Sequence, residues 1–259
     1  NRTPLLNMRN NFKKTLREYC DFLKKKKIWN KKNQINYEFQ IEKLSNWESQ
    51  NKTKKLMDWF SNEQKNNSAK ISIAHLNKLK KWKFNQKQGS IEHESKQFFK
   101  IIGVRVKNAK REVDEWDQPF IMQIGYKGGI IGLVRKYING IPHYLVEAKF
   151  EPGNFGKIQI SPSVQATYSN INTIHLGKKN IIKKLFFNKD FFTIRKYWVT
   201  EDGGRLYKKR NLHWIIQYEG KNIKLPNKSY KWMTLWQINL MIQKKNWVSP
   251  HLRSILSLV

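Results

Sequence analysis

The chain has a single cysteine, Cys20, in 259 residues. That excludes a disulfide framework and a cysteine-based metal site, and it suits a reducing compartment, so a cytoplasmic protein is expected. No run approaches the roughly 18–20 consecutive apolar residues that a membrane span needs. The first residues show no apolar core of the signal-peptide kind. The six histidines are scattered, with no pair inside one helical turn, so a metal cluster is not expected. Neither G-x-G-x-x-G nor a P-loop is present, and "GYKGGIIG" reads as a tight connection between strands. No G-x-S-x-G or Cys–His arrangement points to a covalent nucleophile. His143 or His175 could do acid–base work, although a lone histidine is more often structural.

Acidic residues are also scarce, 19 against 51 basic, for a net charge of +32. Such an excess raises the nucleic-acid-binding class at once. The charge is not concentrated, however: residues 1–70 hold 17 basic and 7 acidic side chains. Lysine supplies 41 of the basic residues, alongside abundant Asn and Ile, as compositional drift produces. A nucleic-acid partner is therefore not the first expectation. With 39% hydrophobic residues and ten Trp, the chain can bury a substantial core.

Residues 1–66 place large apolar side chains at three- and four-residue spacings, as with Leu56, Trp59 and Phe60, which predicts a helical segment. "NEQKNNSAK", residues 62–70, is a polar connector, and a second domain is expected over 67–259. From Ile71 the texture is that of short strands. "PFIMQIGY" and "GIIGLVRKYI" are apolar runs joined through Lys127-Gly128. Asn139-Gly140 signals a hairpin into "IPHYLVEAKF", and "EPGN" turns the chain into "GKIQI". Residues 192–199 and 204–218 read as further strands. Thr234 with Gln237 forms a capping box before a helix, and Ser249-Pro250 starts another. The pattern predicts an antiparallel meander flanked by helices, an α+β fold.

Two stretches carry chemistry. Along "HYLVEAKFE", Glu147, Lys149 and Glu151 alternate with apolar residues and share one face of a strand, either a solvated ion-paired face or a pocket lining. The nearby "SPSVQATYSN" alternates again, with Gln165, Thr167 and Ser169 on one face, which favours a concave hydrogen-bonding surface. The second stretch, "EDGGRLYKKRN", follows paired glycines with Arg205, Lys208, Lys209 and Arg210. It reads as a diphosphate clamp or as an exposed basic strand, since the arginine fork matches phosphate oxygens.

From about Ile71 onward the sequence resembles the NDP-hexose 2,3-dehydratases of deoxysugar biosynthesis. The likeness runs through "GSIEHESKQFFKIIGVRV", "WDQPFIMQIGYKGGIIGLV", "AKFEPGN", "SPSVQATYSN", "EDGGRLYKKRN" and "YKWMTLWQINLMI" in order. The resemblance implies a Nudix-like α/β/α sandwich with a mixed, largely antiparallel sheet. The G-x5-E-x7-R-E Nudix box is absent, so metal-dependent diphosphate hydrolysis is not expected. Glu147 stands where the family usually has Gln.

The implied substrate is a nucleoside-diphosphate 4-keto-6-deoxyhexose, with dTDP as its nucleotide, and the implied reaction needs no cofactor. Glu151 or Glu147 is then the base, Lys149 the enolate stabiliser, and Tyr168 or His175 the acid. Asn154, Gln165, Thr167 and Asn170 would orient the sugar. Arg205, Lys209 and Arg210, flanked by Tyr207 and Asn211, would hold the diphosphate, and Trp116 or Trp232 would stack on the base. Many family members carry two tandem modules, so a single module is expected to pair as a homodimer. A non-catalytic nucleotide-sugar binding module is the alternative, and a basic nucleic-acid-binding protein a third.

Overall fold

The structure, a computed structural model, describes residues 3–259 apart from 45, 49–50, 97, 125–127, 168–181, 183–184, 187–190 and 221–222, with side chains from residue 14 onward. Three helices open the chain: α1 (Thr3–Lys25), α2 (Lys31–Leu44) and α3 (Thr53–Lys65). A smaller sheet follows, of β1 (Trp82–Asn85), β2 (Ser90–His93), β3 (Phe99–Val106) and β4 (Trp116–Gln123), closed by the short β10 (Leu206–Tyr207) parallel to β4.

The larger sheet has the order β12-β6-β5-β11-β9. Its strands are β5 (Gly129–Ile138), β6 (Ile141–Phe150), β9 (Phe191–Thr200), β11 (Arg210–Tyr218) and β12 (Tyr230–Met233). Two further strands, β7 (Ile158–Pro162) and β8 (Val164–Ala166), join β6 and β5 respectively. Helices α4 (Leu235–Ile242) and α5 (Pro250–Leu256) end the chain.

The local signals behave as their chemistry requires. Asn139 and Gly140 both take positive φ, 52° and 80°, and close the β5–β6 hairpin with Ile138 opposite Ile141. The capping box at Thr234–Gln237 is formed in both directions. Ser249 caps α5 by accepting from the Leu252 N–H.

The single meander expected from the sequence is instead two sheets. β4 and β5, consecutive in the chain, lie in different ones, and β11 runs parallel to β5. Ile35 and Phe39 of α2 and Leu56 and Phe60 of α3 share one buried cluster with Ile131, Tyr144, Ile160, Ile238 and Leu252.

The large sheet forks. β5 and β6 pair from their hairpin down to Val134 and Leu145, and then separate. Below that point β7 pairs with β6 and β8 pairs with β5. Ser163 sits at the split, where its hydroxyl accepts from the Val134 N–H (2.9 Å) and donates to the Leu145 carbonyl (2.5 Å). One side chain thus satisfies the two ladder groups that the parting strands leave open. Residues 247–249 pair with Ile160 of β7, through Ile160 N–H to Trp247 O and Ser249 N–H to Ile160 O. That pairing, with the Ser249 cap and Pro250, fixes where α5 begins, and α5 packs on β5, β7 and β11.

Candidate active site

Glu151 leaves the end of β6 at the turn that the sequence marks with Pro and Gly. Its N–H donates to Lys157 O and its carbonyl accepts from the Asn154 N–H, so the turn fixes its backbone. The carboxylate Oε1 accepts from Lys149 Nζ at 2.5 Å and from Gln165 Nε2 at 3.3 Å. Lys149 and Glu151 side chains keep 24% and 37% of their exposure, so this pair borders solvent. Glu147, two residues earlier, is more enclosed. Burial raises its carboxyl pKa, the Tyr230 hydroxyl and Lys149 work against that, and Glu151 adds to it.

The opposite side comes from the junction between the sheets, where the chain passes from β10 to β11. Lys209 Nζ donates to Gln123 Oε1 at the end of β4 (2.5 Å). Burial lowers the pKa of this ammonium, and the charge of Glu201 works against the shift. Asn211 accepts from the Gly129 N–H at 2.9 Å and donates to Glu201, so β5 holds the amide that aims the carboxylate. Gly129 is confined here. A Cβ would lie 2.4 Å from the Ala166 carbonyl and 3.0 Å from Asn211 Oδ1, so a larger residue would force β8 and β11 apart.

Gln165 and His213 both sit opposite Ile131, one on each flanking strand, and therefore share a face of the sheet. Two strand spacings place them roughly 10 Å apart. Gln165 Oε1 and His213 Nδ1 are buried without a hydrogen-bond partner. Over this end of the sheet stands the start of α5, with His251. Burial lowers the His251 pKa. Glu201 and Glu151 pull it up, and Lys149 and Lys209 push it down. His213 is likewise lowered by burial and then by the charge of His251.

Two carboxylates (Glu151, Glu201), two ammonium groups (Lys149, Lys209) and two imidazoles (His213, His251) thus gather at one end of the large sheet. A half-exposed carboxylate beside a cation, with a neutral imidazole at hand, suits proton abstraction next to a carbonyl and stabilisation of the resulting enolate. Buried polar atoms normally find partners; Gln165 Oε1 and His213 Nδ1 have none, as is also true of Asn46 Oδ1, Ser90 Oγ, Arg135 Nε and Gln159 Oε1 among the described residues. Among the described residues no group of three His, Cys, Asp or Glu side chains is placed to hold a metal.

The structure gathers Glu147, Lys149, Glu151, Gln165, Lys209 and Asn211, and sets the Thr167 backbone beside Gly129. Asn154 instead braces its own turn through Lys157 O. Arg205 pairs with Asp202 at 2.7 Å on an exposed turn, and Arg210 lies over Trp198 at 4.7 Å. Tyr207 packs edge-on against Phe120.

Trp116 borders a separate hollow of about 270 Å³ with Arg111 and Gln118. It lies at the opposite end of β4 from Gln123, roughly 23 Å away at strand spacing. Trp232 is buried in the cluster with Leu145 and Trp214, so no ring face is free for a base. His143 is buried too, its Nδ1 2.9 Å from Ile141 O, and burial lowers its pKa to about 4. Tyr168, Asn170 and His175 lie outside the described residues.

Sequence reasoning missed Glu201, His213 and His251. Glu201 opens the motif "EDGGRLYKKRN", whose cations dominate its local pattern. The two histidines carried no local signal, because each acquires neighbours only through the fold.

A family profile described as NDP-hexose 2,3-dehydratase matches residues 53–259. The match starts at α3, ahead of the polar connector. Among similar proteins, the dTDP-4-dehydro-6-deoxy-alpha-D-glucopyranose 2,3-dehydratase of Saccharopolyspora spinosa is 30% identical over 202 residues, covering 78% of this chain and 41% of that protein. Proteins of the same name from Streptomyces violaceoruber and Amycolatopsis orientalis are 27% and 29% identical, each over 80% of this chain and 46% and 45% of their own length. The chain thus spans less than half the length of these relatives.

Proposed function

The chain belongs to the NDP-hexose 2,3-dehydratase family, and from that premise we propose that it eliminates water across C-2 and C-3 of a dTDP-4-keto-6-deoxyhexose, in the cytoplasm and without a cofactor. The observation that carries this reading is the Glu151 carboxylate, oriented by both Lys149 and Gln165 yet accessible.

The C-4 ketone acidifies the C-3 proton. Glu151 removes it, and Lys149 lies beside the same carboxylate, positioned to stabilise the enolate oxygen. The enolate electrons form the C-2/C-3 double bond as the C-2 hydroxyl leaves with a proton. The enol that results, still bearing its C-3 oxygen, tautomerises to the 3,4-diketo-2,6-dideoxy sugar. Glu147, closed in by Tyr230, supports Lys149 rather than meeting substrate. Gln165 orients the sugar hydroxyls, and Lys209 is the cation best placed for the diphosphate, since Arg205 and Arg210 are engaged at the surface.

Incubation with dTDP-4-keto-6-deoxyglucose, followed by mass spectrometry, tests the reading. Loss of one water without added metal or nicotinamide is expected. Activity abolished by EDTA and restored by Mg²⁺ would overturn the mechanism.

For assembly, a homodimer is the reading that the small sheet supports. Phe84, Ile91, Ile101, Ile121 and Leu206 stand in register across all five strands, and Phe84 and Ile121 are 64% and 39% exposed. Such a face is a recognised association surface. Light scattering that gives the 31.1 kDa of one chain at every concentration would rule the dimer out.

A further inference from the structure

The dehydratase reading leaves one proton without a described carrier: the departing C-2 hydroxyl needs an acid. We propose that His251 carries it, receiving the proton that Glu151 takes from C-3 and delivering it to the C-2 oxygen. The inference rests on the proposed elimination and adds a residue that neither the sequence motifs nor the family match singles out.

Position is the first argument. Residues 247–249 are pinned to β7, Ser249 caps α5, and α5 packs on β5, β7 and β11, so the start of α5, with His251, is held over this end of the sheet. Its surroundings are the second. Lys149, Glu151, Glu201 and Lys209 all act on His251, and these four reach it from the end of β6 and from the β9–β11 connection. Beneath it, on one face of the sheet, His213 Nδ1 and Gln165 Oε1 are buried and unpartnered. His213 is 2% exposed, so ordinary solvent does not satisfy that nitrogen. A sugar ring of several hydroxyls between them would meet both atoms, with His251 above and Glu151 at the side.

The protons balance. The Glu151 carboxylate takes the C-3 proton and becomes a carboxylic acid. It passes the proton to neutral His251, and the imidazolium N–H protonates the C-2 oxygen as the carbon–oxygen bond breaks. Water leaves, and both side chains return to their starting states with no external acid. Burial keeps His251 neutral at rest, which lets it accept the proton, and the same burial makes its imidazolium a stronger acid.

The experiment is His251→Gln in D₂O with dTDP-4-keto-6-deoxyglucose. Enolate formation should survive, so recovered substrate gains deuterium at C-3, while water loss falls about 100-fold or more, the ordinary range for losing a general acid. A second variant, His251→Ala, should regain water loss when free imidazole is added, a rescue that a purely structural histidine would not show.

Unchanged elimination in His251→Gln overturns the relay. So does a parallel loss of exchange and elimination that imidazole fails to restore. In either case an active wild type leaves the dehydratase reading standing. A wild type that neither exchanges nor eliminates removes both readings.

Discussion

Two charged clusters lie on the large sheet, and their difference separates structure from chemistry. At the hairpin end, Arg135 donates to Glu38 (2.5 Å), Glu42 (2.6 Å) and Gln217 (2.6 Å), tying α2 to β5 and β11. Tyr137 and Tyr144 donate to the same two glutamates, and Gln34 to Glu38, so all four carboxylate oxygens are engaged. Arg135, Glu38 and Glu42 are 1%, 0% and 2% exposed. At the forked end, Glu151 and Lys149 face solvent and neighbouring polar atoms lack partners. The first cluster has every carboxylate oxygen engaged, is sealed from solvent and leaves only Arg135 Nε without a partner, so it holds α2 in place; the second keeps an accessible carboxylate and ammonium that a ligand can reach.

The sharpest way to break that contrast is to break the closed cluster. Arg135→Met leaves two buried carboxylates uncompensated and should cost about 3–5 kcal/mol of stability in a denaturant melt. A stable, inactive variant would place Arg135 in the chemistry and erase the distinction.

Next in size is the response to acid. His143 is buried neutral with a pKa lowered from 6.5 to about 4. The unfolded chain therefore binds the extra proton first, and stability should fall as pH drops from about 6.5 to about 4, by up to roughly 3 kcal/mol. His143→Gln should flatten that part of the stability–pH curve, which melts at several pH values would show.

Smaller again is the contrast between cations. Lys209→Met should weaken binding of substrate and of free dTDP by about 1.5–3 kcal/mol, the range for a charge-assisted contact. Arg210→Ala, on the surface against Trp198, should change it by less than about 0.5 kcal/mol. Calorimetry that reverses the order would return the clamp to the arginines. The smallest effect is expected for Glu147→Gln. It removes a carboxyl that burial already disfavours in its charged form, so turnover should stay near wild type. A loss as severe as that of Glu151→Gln would make Glu147 the base.

The same two clusters show what the sequence could reveal. Signals spanning three or four residues were legible, including the Asn139-Gly140 turn, the Thr234 box and the Ser249-Pro250 start. So was the Lys149–Glu151 pair, because strand alternation fixes neighbours two apart. Contacts across the chain were not legible. Glu38 meets Arg135 from 97 residues away, and nothing local in α2 distinguishes it from a solvated glutamate. His251 was hidden in the same way, since its helix reads as an ordinary cap and apolar stripe, and it is brought over the sheet by the pairing of Ile160 with Val248 and the packing of α5 on β5, β7 and β11. The partners of the arginines were not legible either: the turn at Asp202 supplies Arg205 with a carboxylate, and Arg210 lies over Trp198.

The central claim is that Glu151 takes the C-3 proton in the open cluster. It is tested most directly by Glu151→Gln, incubated in D₂O with dTDP-4-keto-6-deoxyglucose beside the wild type, with mass spectrometry of substrate and product. The wild type should release water. The variant should bind dTDP normally yet give neither dehydrated product nor deuterium at C-3. Exchange or elimination in the variant at the wild-type rate would contradict the account.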